Sequence, residues 1–332
     1  MAVTGPEASD DPDGMLVNIG TDGGDSRSTG KARLISASRR TDIAAFYSKW
    51  FLHRLREGYC HSINPFGGQV KRVPLHPADV LGIVFWTRCP LPLMPHLRQL
   101  AARGYRFYFQ FTITGYDRLL DTRGPEPAKA VETFRRLADE IGPPLVLWRY
   151  DPIILSDRTL VSFHLKNFSR LASKLEGFTE RCSISFVSWY GKTKRNLDRA
   201  ARSHGVVFQQ PDLDTRRPLA RELGQIAAGR GMRVLSCCED ALLQEGVGKA
   251  HCVDLEPFRF DPAAALRSSP TRKDCGCVES VDIGAYDTCL FGCLYCYATN
   301  SHKAAAGRRA AHDPLDTVLW RPPTPAGKLE LD

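Results

Sequence analysis

The chain has 332 residues, of which 43% are hydrophobic and 25% are charged. No apolar run approaches the ~18 residues that a membrane-spanning helix needs, which excludes a helical membrane protein. Lys and Arg number 45 and Asp and Glu 37, so the formal net charge is +8. This surplus suits an anionic partner such as nucleic acid, although most of the charge is expected on solvated helix faces.

The first segment, residues 1–32, is rich in Gly, Asp and Ser and lacks the basic and apolar parts of a secretory signal. We therefore expect a disordered leader. Without an export signal, the 11 cysteines are expected in a reducing cytoplasm. Clustered thiols there bind metals or do redox chemistry more often than they form disulfides.

Short runs of β-branched and aromatic residues follow the leader and alternate with stretches of helical period. The predicted strands are 34–38, 82–86, 106–112, 145–148, 183–187, 206–209, 233–236 and 280–283. Several are apolar on successive residues, as expected of parallel strands covered on both faces.

Apolar residues between these strands recur at helical spacing. The predicted helices include 46–55, 130–141, 161–175 and 219–227. Alternating strands and helices imply right-handed βαβ units and a parallel sheet. Eight strands make a closed, TIM-like (β/α)8 barrel the first expectation and an open six-stranded version the second. We expect residues 33–303 to form this one domain.

Reactive side chains follow four of the predicted strands. The segments are "RRTD" (39–42), "TRCP" (87–90), "RYDP" (149–152) and "CCED" (237–240). Because a parallel barrel builds its site at the carboxyl ends of its strands, these segments should converge on one mouth. In a closed barrel the last strand pairs with the first, so the loop after 280–283 should lie beside Arg39, Arg40 and Asp42.

That loop contains "DTCLFGCLYCYATN", residues 287–300, in which three cysteines are spaced C-x-x-x-C-x-x-C. A loop of this length can point three thiolates at one metal centre, and Gly292 allows a tight bend. A structural zinc site needs four ligands, whereas a 4Fe-4S cluster held by three thiolates leaves one iron open. The alternative is half of a zinc ribbon that stabilises the C-terminal part of the chain.

The spacing, with Tyr295 before the last cysteine, resembles the signature of radical S-adenosylmethionine (SAM) enzymes. The resemblance implies that Cys289, Cys293 and Cys296 carry a 4Fe-4S cluster and that SAM chelates its open iron. In that superfamily the motif follows the first strand of a partial (β/α)6 barrel; here it follows the last predicted strand. A circular permutation would reconcile the two because it keeps spatial neighbours.

Residues 33–303 also resemble a bacterial family, domain-of-unknown-function family 1848. The stretches that carry the resemblance are "ISASRRTDIAAFYSKWF", "INPF", "GIVFWTRCP", "FQFTIT", "LWRYDPII", "ISFV" and "CGCVESVDIGAYDTCLFGCLYCYA". Members commonly read "WTKNP" where this chain reads "WTRCP", so Arg88 keeps a charge and Cys89 departs from the pattern. The resemblance implies the fold and the cluster but no substrate.

By this resemblance, strand-end residues would bind the amino and carboxylate groups of SAM. The candidates for the amino group are Asp42, Asp151 and Glu239. The candidates for the carboxylate, as bidentate partners, are Arg39, Arg40 and Arg149. Two purely structural alternatives stay open. Thr41 or Asp42 would be a helix N-cap, and Arg149 and Asp151 would form a structural ion pair.

A second set of cysteines also falls on family positions. These are Cys238, Cys252, Cys275 and Cys277. Four thiolates can fill a second 4Fe-4S cluster or a zinc site, and Gly276 would permit the sharp turn of the C-x-C pair. The alternative is buried free thiols. Cys60, Cys89, Cys182 and Cys237 are interpreted as ordinary buried residues.

Residues 304–332 are basic and rich in proline, so we expect a flexible tail. Two functions remain. The first is a radical-SAM-like enzyme that cleaves SAM reductively, with an electron donor such as a flavodoxin or ferredoxin and a nucleic-acid or phosphate-bearing substrate. The second is a non-catalytic zinc or iron-sulfur module with a structural or redox-sensing role.

Overall fold

The computed structural model describes residues 32–259 and 266–322. The expected leader, residues 1–32, lies outside this range except for Ala32, and so do residues 323–332 of the expected tail. Among the described residues, no helix is long and apolar enough to cross a membrane.

The strands, in chain order, are β1 (Arg33–Ala37), β2 (Tyr59–Ile63), β3 (Val70–Pro74), β4 (Val80–Thr87), β5 (Phe107–Thr112), β6 (Val146–Ile153), β7 (Leu155–Ser156), β8 (Arg181–Phe186), β9 (Phe208–Gln209), β10 (Arg233–Ser236), β11 (Val247–Lys249) and β12 (Ser280–Asp282). The α-helices are α1 (Ile43–Phe46), α2 (Ser48–Glu57), α3 (Leu97–Ala102), α4 (Pro127–Ile141), α5 (Val161–Leu175), α6 (Gly191–His204), α7 (Leu213–Ala228) and α8 (His302–Ala310).

Eight strands form one sheet in the order β11-β10-β8-β6-β5-β4-β1-β12, and every neighbouring pair is parallel. The order in space follows the order in the chain, except that the last strand precedes the first. The register places Leu34 opposite Ser280 and Ile35 opposite Val281. The predicted parallel α/β fold is therefore confirmed, and so is the pairing of the last strand with the first.

A closed barrel is not found. Within the described residues, no pairing joins the two edge strands, β11 and β12. Seven of the eight predicted strands lie in the sheet, but 206–209 contains the two-residue β9, which pairs antiparallel with β7. Its place is taken by β11, which prediction missed because "VGK" is short and contains a glycine that weakens any strand signal.

The core lies between the sheet and the helices that cover it. Helix α5 buries Phe168, Ala172 and Leu175 completely, and all three belong to the apolar face that its sequence predicts. Phe168 stacks on Trp148 of β6 with ring centroids 4.7 Å apart. Phe85 of β4 and Phe109 of β5 stack in the same way at 4.8 Å. Large apolar side chains on neighbouring strands thus bind the helices to the sheet.

The C-terminal segment is packed as far as residue 322, which corrects the expectation of a flexible tail from residue 304. Helix α8 begins at a Ser301 N-cap, and Val318 and Leu319 are each 2% exposed. Trp50 of α2 donates its Nε1–H to the carbonyl of Asp316 at 2.9 Å. Buried apolar residues hold this stretch against α2, and a composition rich in proline and arginine does not reveal them.

Candidate functional site

The carboxyl ends of the parallel strands meet at one edge of the sheet, called here the carboxyl edge. The segments 39–42, 87–90 and 237–240 follow β1, β4 and β10 at this edge. Segment 149–152 lies inside β6, near its end. The cysteine loop, residues 287–300, follows β12 at the same edge. All five segments therefore share the location that parallel topology requires.

Neighbouring loops fix the cysteine loop. Leu294 donates its backbone N–H to the carbonyl of Leu120 at 2.9 Å, and Asp121 forms an antiparallel bridge with Cys293. Tyr47 of the α1–α2 junction donates its hydroxyl to the carbonyl of Thr288 at 2.8 Å. Gly292 has φ 66°, the left-handed conformation that allows the bend before Cys293.

Cys296 donates its backbone N–H to the carbonyl of Cys293 at 3.1 Å, and Cys293 and Cys296 lie close enough to Cys289 to raise the pKa of its thiol, so the three cysteines share one neighbourhood. Burial raises the pKa of Cys293 to about 12, and it raises that of Cys289 as well. Without a cation, such thiols stay protonated. In the described residues, no three Cys, His, Asp or Glu side chains gather as the ligands of a single metal ion. A cubane cluster separates its ligands more widely, because several irons lie between them.

Arg88, at the end of β4, connects the cysteine loop to the loop after β5. Its Nη1 donates to the sulfur of Cys293 at 3.2 Å and to the hydroxyl of Tyr295 at 2.6 Å. Its Nη2 donates to Asp121 at 2.5 Å and to the hydroxyl of Thr114 at 3.1 Å. Burial opposes the charge, but the carboxylate of Asp121 raises the pKa of Arg88 well above its ordinary value.

Sequence reasoning did not assign a role to Asp121 or Thr114. Tyr295 donates its hydroxyl to Asp121 at 2.5 Å, and Thr114 donates to the same carboxylate at 2.7 Å. The stretch between β5 and α4 carries no metal-ligand motif. In the sequence, the feature that pointed to this group of side chains was the position of Arg88 at the end of a predicted strand, in "TRCP".

Asp42 caps α1, so the capping interpretation describes what it does in this structure. One carboxylate oxygen accepts the N–H of Ala45 at 2.9 Å, and the other accepts the N–H of Arg88 at 2.7 Å. Asp42 is 5% exposed, and this burial raises its pKa to about 7 against the effect of both bonds. The carboxyl group retains lone pairs for a further donor.

Arg39 and Arg40 lie where β1 and β12 end together. Asp282 of β12 accepts the hydroxyls of Ser36 at 2.9 Å and Ser38 at 2.7 Å. It also accepts the backbone N–H of Arg39 at 2.8 Å. Arg40 donates to the carbonyl of Gly284 at 3.4 Å, and its Nε lies 3.8 Å from Asp282. This one carboxylate joins the end of β12, which leads into the cysteine loop, to the "RRTD" segment.

Arg149 and Asp151 form an ion pair, as the structural interpretation expected, and Asp151 also accepts the hydroxyl of Ser185. The guanidinium of Arg149 lies 4.8 Å from the ring centroid of Trp86, and that of Arg39 lies 5.8 Å from it. Arg149 therefore lies over the ring of Trp86 as well as beside the carboxylate of Asp151, and Arg39 lies over the same ring.

The second cysteine set is gathered beside β10 and β11, and it includes Cys237, which sequence reasoning had treated as an ordinary buried residue. The sulfur of Cys237 lies 3.0 Å from that of Cys252 and 3.7 Å from that of Cys238. Val253, the neighbour of Cys252, donates its N–H to the sulfur of Cys277 at 3.4 Å, and Cys252 and Cys275 lie close enough to raise the pKa of Cys277. Cys60, Cys89 and Cys182 lie outside this group. All eleven cysteines are in described residues and are free thiols.

Glu239 forms an ion pair with Arg216, and the other charged groups that affect its pKa are Arg272 and Asp274, outside the cysteine loop. Both line a cavity of about 300 Å³, together with Cys237, Cys238 and Arg272. The predicted site residues thus divide between two neighbourhoods. Asp42, Arg39 and Arg40 lie near the cysteine loop, and Glu239 lies by the second cysteine set. Arg149 and Asp151 lie between them.

Several buried donors at the carboxyl edge have no hydrogen-bond partner within the described residues. They are Arg39 Nε, Arg88 Nε, Thr41 Oγ1 and Trp86 Nε1. Because an unpaired buried polar atom costs free energy, such atoms are expected to bind a ligand or water. Three thiols with these donors around them are a ligand set suited to an iron-sulfur cluster and a polar molecule beside it.

The family model "Domain of unknown function (DUF1848)" matches residues 34–298, well over half of the chain. No curated protein matches the chain. The matched range begins in β1 and ends two residues after Cys296, so it includes both cysteine sets and every strand of the sheet. The chain therefore belongs to the DUF1848 family.

Proposed function

We infer that this protein is a radical-SAM-like enzyme whose cysteine loop binds a 4Fe-4S cluster through Cys289, Cys293 and Cys296. One observation carries the proposal: these three thiols share a neighbourhood at the carboxyl edge, on a loop fixed on both sides by contacts with other strand-end loops. Three ligands, with no fourth cysteine in the loop, suit a cluster that keeps one iron for a second ligand.

The bound cluster and SAM would supply a 5′-deoxyadenosyl radical, released with methionine when one electron cleaves SAM. The chain's own residues would hold and orient the partners. Arg88 donates to the sulfur of Cys293, and such hydrogen bonds to sulfur tune a cluster's reduction potential. The free donors of Arg39 and Trp86 are available to a carboxylate or ribose oxygen of SAM.

The strand order supports the superfamily comparison. The strand before the cysteine loop, β12, is an edge strand, and β1 and the later strands follow it across the sheet in chain order. Moving β12 to the front of the chain would give a singly wound sheet whose first strand precedes the cysteine motif. We propose that the sheet is a circularly permuted, open relative of the radical-SAM partial barrel.

We propose an anionic substrate, phosphate-bearing or a nucleic acid. Arg39 and Arg149 lie over Trp86, and Arg216 lies in the neighbouring cavity. Three guanidiniums along one edge favour anions, and the net charge of +8 acts in the same direction. A reduced flavodoxin or ferredoxin would deliver the electron.

The test is SAM cleavage by anaerobically reconstituted full-length protein. With dithionite it should release 5′-deoxyadenosine, and Cys293→Ala should reduce that release by more than 100-fold. Cys60→Ala is the matched control, because Cys60 is a fully buried thiol in β2. Colourless protein with stoichiometric zinc would instead support a non-catalytic metal module. Undiminished cleavage by Cys293→Ala would refute the assignment of this loop.

A further inference from the structure

We propose that a second iron-sulfur cluster is bound by four of the five thiols of Cys237, Cys238, Cys252, Cys275 and Cys277. This group is called here the second thiol site. It shares no cysteine with the cysteine loop, so it can be present whether or not the loop supports SAM cleavage.

Three separate segments bring these thiols together. Cys237 and Cys238 follow β10, Cys252 follows β11, and Cys275 and Cys277 precede β12. The sulfur of Cys237 lies 3.0 Å from that of Cys252 and 3.7 Å from that of Cys238, and the residue after Cys252 contacts the sulfur of Cys277. Bringing three segments together costs loop-closure entropy, and a ligand that is bound by all three offsets this cost.

The backbone around the second thiol site is held by buried polar groups. Tyr108 and Gln110 of β5 both donate to the carbonyl of Cys252 at 3.0 Å. Val253 donates its N–H to the sulfur of Cys277 at 3.4 Å. Supporting hydrogen bonds of this kind fix first ligands at metal sites. An ordinary group of buried thiols does not require such positioning.

Two guanidiniums face the sulfurs. Arg149 donates to Cys252 at 3.4 Å, and Arg272 lies 3.8 Å from the sulfur of Cys237. A cluster with four thiolates carries a net negative charge, which these two cations would balance. If the thiols were neutral, Asp151 alone would balance the charge of Arg149. N–H donors to sulfur are also a regular feature around iron-sulfur clusters.

In the described residues, the thiols of this site do not surround a single ion position. One zinc ion takes four ligands, and no three Cys, His, Asp or Glu side chains of the described residues are arranged around one ion position. Cys237 and Cys238 also line the cavity of about 300 Å³, which gives iron and sulfide a route to the otherwise buried thiols.

The experiment starts from full-length protein in which Cys289, Cys293 and Cys296 are all replaced by alanine. After anaerobic reconstitution it should bind about four irons and four sulfides per chain and show the Mössbauer signal of a 4Fe-4S cluster. Adding Cys237→Ala, Cys252→Ala and Cys277→Ala together, which leaves two of the five thiols, should remove at least three quarters of this iron. Adding Cys60→Ala instead should leave it unchanged.

A second measurement needs no substitution. In reconstituted wild-type protein, Cys238, the half-buried thiol of the second thiol site, should be protected from iodoacetamide, with Cys89 as the alkylated reference, and a chelator should remove the protection. The proposal is overturned if the loop-deficient protein binds no iron or only one zinc. A Cys237–Cys252 disulfide in anaerobically purified protein, found by mass spectrometry together with absence of iron, would also overturn it.

Discussion

Arg88 donates a hydrogen bond to the sulfur of Cys293 at 3.2 Å across 205 residues of sequence, and the same guanidinium forms an ion pair with Asp121 at 2.5 Å. The side chains of Arg88 and Asp121 are only 12% and 9% exposed. The loop after β5 and the cysteine loop are therefore joined through one partly buried cation. Removing that cation affects both loops at once.

Arg88→Met removes the charge while keeping the side-chain length, and it leaves the Asp121 carboxylate without its cation, with only the hydroxyls of Tyr295 and Thr114. We expect a loss of about 2–4 kcal/mol in the free energy of unfolding, measured with urea, because an unpaired buried carboxylate is costly. Arg88→Lys keeps the charge but cannot contact Cys293, Tyr295, Thr114 and Asp121 together, so it should cost about 1–1.5 kcal/mol. Equal losses in both variants would show that the charge is unimportant.

Asp282→Asn tests the junction of β1 and β12. The carboxylate accepts four donors: Ser36, Ser38 and the backbone N–H groups of Arg39 and Gly284. The amide would turn an NH2 group toward two of them, so we expect a loss of about 1–3 kcal/mol in a urea titration. Asp198→Asn is the control.

Asp198 forms an exposed i,i+4 pair with Lys194 on α6, so its substitution should change stability by less than about 0.5 kcal/mol. If the Asp282 and Asp198 variants were equally stable, Asp282 would not hold the two strand ends together.

Two glycine-to-alanine substitutions should change the free energy of unfolding in opposite directions. A Cβ on Gly224 of α7 would lie 2.5 Å from the carbonyl oxygen of Gly246, just before β11, so backbone must move. We expect Gly224→Ala to cost about 1–3 kcal/mol. Nothing lies within 4 Å of a Cβ on Gly307 in α8, so Gly307→Ala should stabilise by about 0.5–1 kcal/mol. Thermal denaturation of both variants tests these expectations. A stabilised Gly224→Ala variant would contradict the close approach of Gly224 to the carbonyl of Gly246.

His164 should make stability depend on pH. It is fully buried, its Nε2–H donates to the carbonyl of Ile154 at 3.0 Å, and its Nδ1 accepts the hydroxyl of Tyr150 at 2.9 Å. Burial lowers its pKa to about 4. Between pH 6.5 and 4 the unfolded chain binds a proton that the folded chain does not, so acidification should cost about 3 kcal/mol, with no further loss from this group below pH 4.

The measurement compares the unfolding free energies of wild type and His164→Gln at pH 7, 5.5 and 4.5. Other titrating groups act alike in both proteins, so the difference isolates His164. A pH-independent difference would mean that the pKa of His164 is the same in the folded and the unfolded chain.

Periodicity predicted the helices α2, α4, α5 and α7, and it predicted most of the parallel sheet because a fully buried strand must be apolar along its length. It did not predict α8, which lies largely in the stretch that the sequence indicated as a flexible tail. It failed for β9, where "VVFQ" (206–209) has strand-like residues but pairs outside the main sheet. It also failed for β11, whose glycine approaches Leu235 of β10. Which short segment occupies an edge position depends on what lies beside it, and propensity does not contain that information.

The site could be predicted only in part, for the same reason. Strand-end polarity indicated the edge and named Asp42, Arg149 and Glu239. It did not separate Glu239 from the cysteine loop, and it did not join Cys237 to the second thiol site. Those relations depend on the paths of the loops that follow β10 and β11 and precede β12, which join residues distant in sequence.

The sequence by itself determined the alternation of strands and helices, the carboxyl-edge location of the reactive segments, and the spacing of the three cysteines in one loop. These are local properties, set by periodicity and by residues a few positions apart. Only the tertiary structure decided that Arg88 contacts Cys293, that Asp282 joins β1 to β12, and that five thiols from three segments meet. Contacts between residues distant in sequence depend on register, loop path and packing, which no single segment encodes.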